Sequence, residues 1–220
     1  MPTGYWGSYR PSIPIALEES MSTTVMGCAA VSMDGYIADD ADGIGPMFEW
    51  LSSGDVRWTW PGTSDELRST QASADFAQAQ YPDTAVVIMG RRLFDQTNGW
   101  NGVPASGEHV IVVTHRPADD WQHYGTAPFT FVGDVETAIK EARERAGDRI
   151  VDVAAGQIGS QALRLGLIDQ VVMNVVPVVL GSGRPFFAGG AFDPPLELAN
   201  PSRVVRGDRV THVAYDVRRN

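Results

Sequence analysis

Apolar residues recur along this chain with two periods, and the switches between them set out most of its elements. Ile150-Val151-Asp152-Val153-Ala154 alternates and is rich in β-branched residues, as a strand requires. Ala155-Gly156-Gln157-Ile158-Gly159-Ser160 then breaks the pattern. Ile158, Ala162 and Leu165 fall at helical spacing, and Gly166 stands where a helix end favours a left-handed residue. Val171 to Leu180 is nearly continuous Val and Leu, the pattern of a strand buried on both faces. It stops at Gly181-Ser182-Gly183-Arg184-Pro185.

The remaining pattern fills in around this unit. Val25 to Val31 reads as a buried first strand, followed by a turn at Ser32-Met33-Asp34-Gly35. Residues 39–62 have no period and read as a long loop, the kind that is usually functional in a compact domain. Thr63-Ser64-Asp65-Glu66 matches a capping box opening a helix, with Leu67, Ala74 and Phe76 along it. Ala85 to Met89 is a buried strand running through Gly90-Arg91-Arg92 into a short helix, and a glycine-rich loop around Trp100 follows. His109 to Val113 and Phe129 to Val132 are strands. Asp134 caps an amphipathic helix with Val135, Ala138, Ile139, Ala142 and Ala146 on one face, and Gly147 ends it. Ser202 to Arg206 and Val210 to Val217 form a hairpin around Gly207-Asp208. Strands alternating with helices and a terminal hairpin predict an α/β fold with a mixed, mostly parallel sheet. Residues 23–220 form one domain on this reading. Residues 1–22 are an extension expected to be poorly ordered, with three prolines and no sustained period.

Composition narrows the function. A net charge of −10 and a pI near 4.7 argue against nucleic acid or anionic membranes as partners. Any site for a phosphorylated ligand must then be a local basic island. No apolar run approaches the roughly 20 residues of a membrane span. The single cysteine, Cys28, rules out an intramolecular disulfide and fits a reducing, cytoplasmic setting. It also rules out the zinc chemistry of nucleobase deaminases, which needs P-C-x-x-C. The four histidines lack metal-ligand spacing, so no metal is expected, and no G-x-S-x-G elbow supports hydrolysis.

Several residues carry candidate chemistry. Glycines at the strand-to-helix turn after Ala154 suit an anion, because the helix N-terminus offers free N–H groups and partial positive charge. The alternative is a turn that merely packs helix on sheet, since G-x-G-x-x-G and the P-loop spacing are both absent. Arg91 and Arg92 sit in a first helical turn, which the helix dipole disfavours for cations, so they read as phosphate contacts or as a salt bridge with Asp95. Asp34 is a turn residue or a functional one. Trp50, Trp58 and Trp60 supply either a stacking wall or packing at the core edge.

Four segments in order resemble the dihydrofolate-reductase-like superfamily. They are Val31-Ser32-Met33-Asp34-Gly35-Tyr36-Ile37-Ala38, Met89-Gly90-Arg91-Arg92-Leu93-Phe94, Val113-Thr114-His115-Arg116, and the central unit ending Val-Pro-Val-Val-Leu-Gly-Ser-Gly-Arg-Pro-Phe-Phe. The resemblance is greatest to the reductase domain of the riboflavin-biosynthesis deaminase-reductases and covers about Val25 to Val217. It implies a single-domain three-layer fold and an NADPH-dependent reductase acting on a pterin-, flavin- or pyrimidine-like substrate. It further implies that Gly90, Arg91, Arg92, Thr114, His115 and Arg116 hold the adenosine phosphates, the 2′-phosphate through the Thr-x-Arg pattern. Ala155, Gly156, Gln157, Ile158 and Gly159 would face the pyrophosphate, with the nicotinamide near Ala30. Asp34 would be the catalytic, substrate-facing polar group, and Trp50, Gly181, Gly183 and Arg184 would complete the substrate pocket. A homodimer is expected. Two features depart from the family pattern: Ala155-Gly156 replaces a Gly-Gly pair, and Asp65, Glu66 and Asp75 offer no clear match to the helical carboxylate of folate enzymes. The rival readings are a non-catalytic nucleotide- or pterin-binding protein and a reductase using flavin or deazaflavin.

Overall fold

The computed structural model describes residues 23–27, 30–60, 66–81, 83–116 and 118–218. The extension at residues 1–22, Cys28 and the Thr63–Asp65 part of the expected capping box lie outside them. In chain order the elements are β1 (Thr24–Gly27), β2 (Val31–Ser32), β3 (Tyr36–Ala38), β4 (Val56–Thr59), β5 (Glu66–Ser69) and α1 (Gln71–Gln80). Then come β6 (Thr84–Gly90), α2 (Arg91–Thr97), β7 (His109–Val113), β8 (Phe129–Val132) and α3 (Val135–Ala146). The chain ends with β9 (Ile150–Ala154), α4 (Gln157–Arg164), β10 (Gln170–Val176), β11 (Arg184–Pro185), β12 (Leu198–Arg206) and β13 (Thr211–Val217).

One sheet runs β12-β13-β10-β1-β9-β6-β7-β8. Every pairing from β10 to β8 is parallel, and β13 joins β10 and β12 antiparallel. The expected mixed α/β sheet with a terminal hairpin is therefore the observed one. Because the β1, β6, β7 and β9 strands are parallel, the turns that leave them share one sheet end, where ligands of open α/β sheets bind.

Alternating residues divide the core between the two faces. Met26, Val86, Ile88, Ile111, Val151 and Val153 point to one face, where Ala138, Ile139 and Ala142 of α3 and Ala162 and Leu163 of α4 cover them. Asp134 accepts a 2.7 Å hydrogen bond from the Thr137 N–H and starts α3 where the sequence predicts. The opposite face carries α1 over Val25 and Val172 and α2 over Val110 and Val112.

Four sequence expectations change. The helix expected from Thr63 begins only at Gln71, where the Thr70 hydroxyl caps it. Glu66–Ser69 instead pairs antiparallel with β4, held by a buried hydrogen bond from Trp58 Nε1 to Ser69 Oγ. Cross-strand pairing outweighed a local cap signal. The stretch expected as an unpatterned loop contains β4 and a 3-10 turn at Gly45–Leu51. β10 ends at Val176 rather than Leu180, because Pro177 has no N–H to continue the ladder. Leu165 lies past the end of α4 and is exposed; Leu163 takes the buried position.

Candidate active site

The turns after β6, β7 and β9 meet. A Cβ placed on Gly90 would lie 3.1 Å from Ile158 Cγ1, so the β6–α2 and β9–α4 turns are in van der Waals contact. Arg91 donates from NH1 to the Arg116 carbonyl at 3.0 Å and from Nε to Asp95 Oδ1 at 2.6 Å. Thr114 Oγ1 accepts the Arg116 N–H at 3.1 Å and fixes that turn. His115 lies beside Gly133 and contributes to holding the Asp134 carboxyl below its ordinary range, behind the larger effect of its Thr137 hydrogen bonds. The predicted cofactor residues of these turns are thus brought to one end of the sheet.

Individual roles within the β9–α4 turn differ. Gly156 has φ +89°, a conformation that only glycine adopts readily, and its N–H already donates to Phe186 O at 2.8 Å. Its N–H is therefore not available to a phosphate. The Ala155 N–H likewise donates to Gly27 O. Gly159 serves packing: a Cβ there would stand 2.8 Å from both Ala154 O and Met26 Cγ. The first intrahelical bond of α4 is Ser160 N–H to Gly156 O. The N–H groups of Gln157, Ile158 and Gly159 have no intrahelical acceptor, and these are the donors an anion would meet.

The predicted substrate loops form a strap. Asp34 Oδ1 accepts from Ser32 Oγ at 2.6 Å and from the Leu180 N–H at 3.1 Å, while Oδ2 accepts from the Gly181 N–H at 2.7 Å. The Ser32 hydroxyl, with these two amides, holds the carboxyl below its ordinary range. Both carboxyl oxygens of Asp34 are thus already engaged by the chain, and a substrate group would have to share or displace these donors. It ties the Ser32–Gly35 turn to the 180–181 loop. Gly183 packs so closely on Ala38 that a Cβ would collide with the carbonyl, and Arg184 pairs with Ala38 across β3 and β11.

Asp42, which the sequence did not single out, closes the strap. It receives Arg92 Nε at 2.9 and 3.0 Å and Arg184 Nε at 2.8 Å. The Arg92 hydrogen bonds, then those of Arg184, lower its carboxyl to about 2. The strap is thereby pinned to the start of α2. Arg92 and Arg184 are paired with a carboxylate, and Arg91 with Asp95, so a ligand phosphate would have to share or displace these partners.

Two expected contacts are corrected. Trp50 is 1% exposed and sits edge-on to His212 with ring centroids 5.1 Å apart, so it is core and not a stacking wall. Ala30 is sealed in the same cluster with Met47 and Val176, so its side chain does not border an open crevice. Among the helical carboxylate candidates, Asp75 is tied to Gln71 on the exposed face of α1 and Glu66 pairs with Arg57. Asp65 lies outside the described residues.

The sequence reading also missed Asp152. It lies mid-strand in β9, partly accessible as a residue, with Oδ1 sealed and without a hydrogen-bond partner among the described residues. Desolvation raises it to about 7. A lone carboxylate inside an otherwise apolar strand was the available signal.

Comparison with known proteins accords with this geometry. The chain is 26% identical over 160 residues to YwjB of Bacillus subtilis, covering 72% of this chain and 79% of that protein. A protein of Shewanella sp. PV-4 assigned to riboflavin biosynthesis superposes with a TM-score of 0.65 at 22% identity, over 90% of this chain and 99% of its own. Dihydrofolate reductase of Enterococcus faecalis, solved with NADP(H), gives a TM-score of 0.53 at 13% identity, over 91% of this chain and 98% of its own. These two structures share the fold. Residues 23–208 match the RibD C-terminal domain, and with its strand order and turns in place the chain belongs to that family of reductase-type domains.

Proposed function

We propose that the protein is an NADPH-dependent reductase of a small heterocyclic substrate, pterin-, flavin- or pyrimidine-like. The observation that carries the reading is the meeting of the three turns at one sheet end: Gly90 against Ile158, and the Arg91 guanidinium on the Arg116 carbonyl. They bring Arg91, Arg92 and Arg116 together on a chain of net charge −10, with Asp95 and Asp42 as their present partners. The residues fit a doubly phosphorylated dinucleotide. Free first-turn N–H groups of Gln157, Ile158 and Gly159 suit a pyrophosphate, and the exposed Arg116 and Thr114 suit a 2′-phosphate through charge-assisted bonds. Such a cofactor, when bound, supplies the hydride. The protein's own work is then binding and orientation, with the strap of residues 34–42 and 180–184 walling the substrate side.

The test is a titration with NADPH, NADH and reduced flavins. Arg116→Ala should weaken NADPH by about 1.5–3 kcal/mol, the worth of a lost charge-assisted contact, and leave NADH nearly unchanged. Equal losses for both cofactors would remove the 2′-phosphate assignment, and tight binding of flavin with no NADPH binding would replace the cofactor.

A further inference from the structure

Asp152 is the polar exception in the middle of the sheet. In register it pairs with Val25 of β1 and Val87 of β6, so its side chain leaves the face that carries α1 and α2. Val25 packs with Phe76 and Tyr81 beside α1, and Val87 packs with Met89 and Phe94 beside α2. The helices lie over different strands, α1 against β12 and β4, α2 against β6 and β7. The face of β9 lies between them. Asp152 stands three residues before Ala155, about 10 Å along the strand from the turn whose helix would take a pyrophosphate.

Asp152 is partly accessible as a residue although its Oδ1 is sealed. Gly27 is paired with Ala154 on the neighbouring strand. Were Gly27 to carry a Cβ, that atom would lie 3.5 Å from Asp152 Oδ1 and 3.1 Å from the Tyr81 hydroxyl. Among the described residues, the groups beside the carboxyl are Val25 and Gly27 from β1, Val87 from β6 and Tyr81 from the end of α1. Tyr81 is the titratable side chain among these residues. A sealed carboxyl oxygen without a partner is costly to keep as a purely structural feature.

We propose that Asp152 is the general acid of the reduction, giving its carboxylic proton to the substrate atom that becomes basic as hydride arrives. The inference rests on the reductase reading above. For a conjugated C=N substrate, the carbon accepts hydride from the reduced nicotinamide dinucleotide, and the π pair moves onto nitrogen. Nitrogen takes the Asp152 proton, giving C–H and N–H bonds, an oxidised cofactor and a carboxylate. Water then returns a proton to that carboxylate. Burial, the main influence on this group, keeps the acid form populated near neutral pH, and no cation among the described residues opposes it. Asp34, the expected candidate, is held ionised by Ser32 and two amides and has no proton to give.

The test uses the full chain, wild type and Asp152→Asn. First, the carboxyl-carbon NMR signal that Asp152→Asn removes should titrate near neutral pH in the free protein; a carboxyl already ionised at about pH 5 overturns the proposal. Second, NADPH affinity followed by fluorescence should be the same in both proteins. NADPH oxidation with pterins, flavins and pyrimidine reductones should fall at least about 100-fold in kcat in the variant, the range expected for a lost general acid. The alkaline limb of the wild-type rate profile should vanish with it. A variant that binds NADPH and keeps kcat within about threefold, with the same alkaline limb, overturns the assignment and leaves the reductase reading standing. Failure of both proteins to bind NADPH sinks the reductase reading, and the proton-donor role with it.

Discussion

The two faces of the central sheet are built on opposite terms. On the α3/α4 face, Met26, Ile88, Ile111, Val151 and Val153 are buried beneath alanines and branched side chains. The Thr24 and Ser160 hydroxyls buried there are neutral and hydrogen-bonded. On the α1/α2 face the same strands carry Asp152 between two apolar clusters, and His212 is buried on β13 with Asn174 and Ser73 as partners. The first face buries few polar groups, each with a partner; the second buries a carboxyl oxygen that has none among the described residues. If Asp152 is the proton donor proposed above, the second face is the working one, and the cost of its unpaired carboxyl is carried for the chemistry.

The comparison is most directly broken by substitutions that exchange these terms. Ile88→Ala, on the cohesive face, should cost about 2–5 kcal/mol in urea unfolding, the usual range for emptying a sealed site. A loss below 1 kcal/mol, on the order of a surface change, would mean that face is not the anchor.

Asp152→Asn should do the reverse and stabilise the protein. The native carboxyl keeps a proton up to about 7, whereas the unfolded one releases it near 3.8. Between those values the native state binds more protons, so wild-type stability falls as pH rises, and the full penalty is present above about 7. The interval sets an upper limit of about 4 kcal/mol for the gain in the variant at pH 8, vanishing at pH 3. Unfolding midpoints of the two proteins that stay parallel from acid to alkali would remove the pKa shift.

His212 gives a smaller effect of the opposite sign. Desolvation lowers it from 6.5 to about 4, so the unfolded state takes up a proton first as pH falls. Its contribution is complete above about 6.5 and declines toward pH 4, by at most about 3 kcal/mol. His212→Gln should flatten that window of the stability profile. An unchanged acid limb would place the titration elsewhere.

Legibility in the sequence followed how local each determinant was. α3 was readable to the residue, because Asp134, the apolar stripe and Gly147 act within one helix. The three turns were readable as glycine and arginine after β-branched runs. The helix at Thr63 was misread because a four-residue cap signal says nothing of the partner strand at Val56–Thr59 that captured Glu66–Ser69. Trp50 was misread for a related reason: whether an indole stacks on a ligand or fills a core depends on what lies above it. Asp34 and Asp42 look alike in sequence as loop carboxylates, yet one caps two amides and the other bridges two arginines.

The chain's own periodicity determined most strands of the main sheet, α3, the order of turn motifs and so the family, because these depend on residues a few positions apart. Tertiary structure alone decided which carboxyl is ionised and engaged, which arginines are paired, and that one oxygen of Asp152 is sealed without a partner. Those outcomes depend on the dielectric and the partners that distant strands bring together, and no short window of sequence contains them.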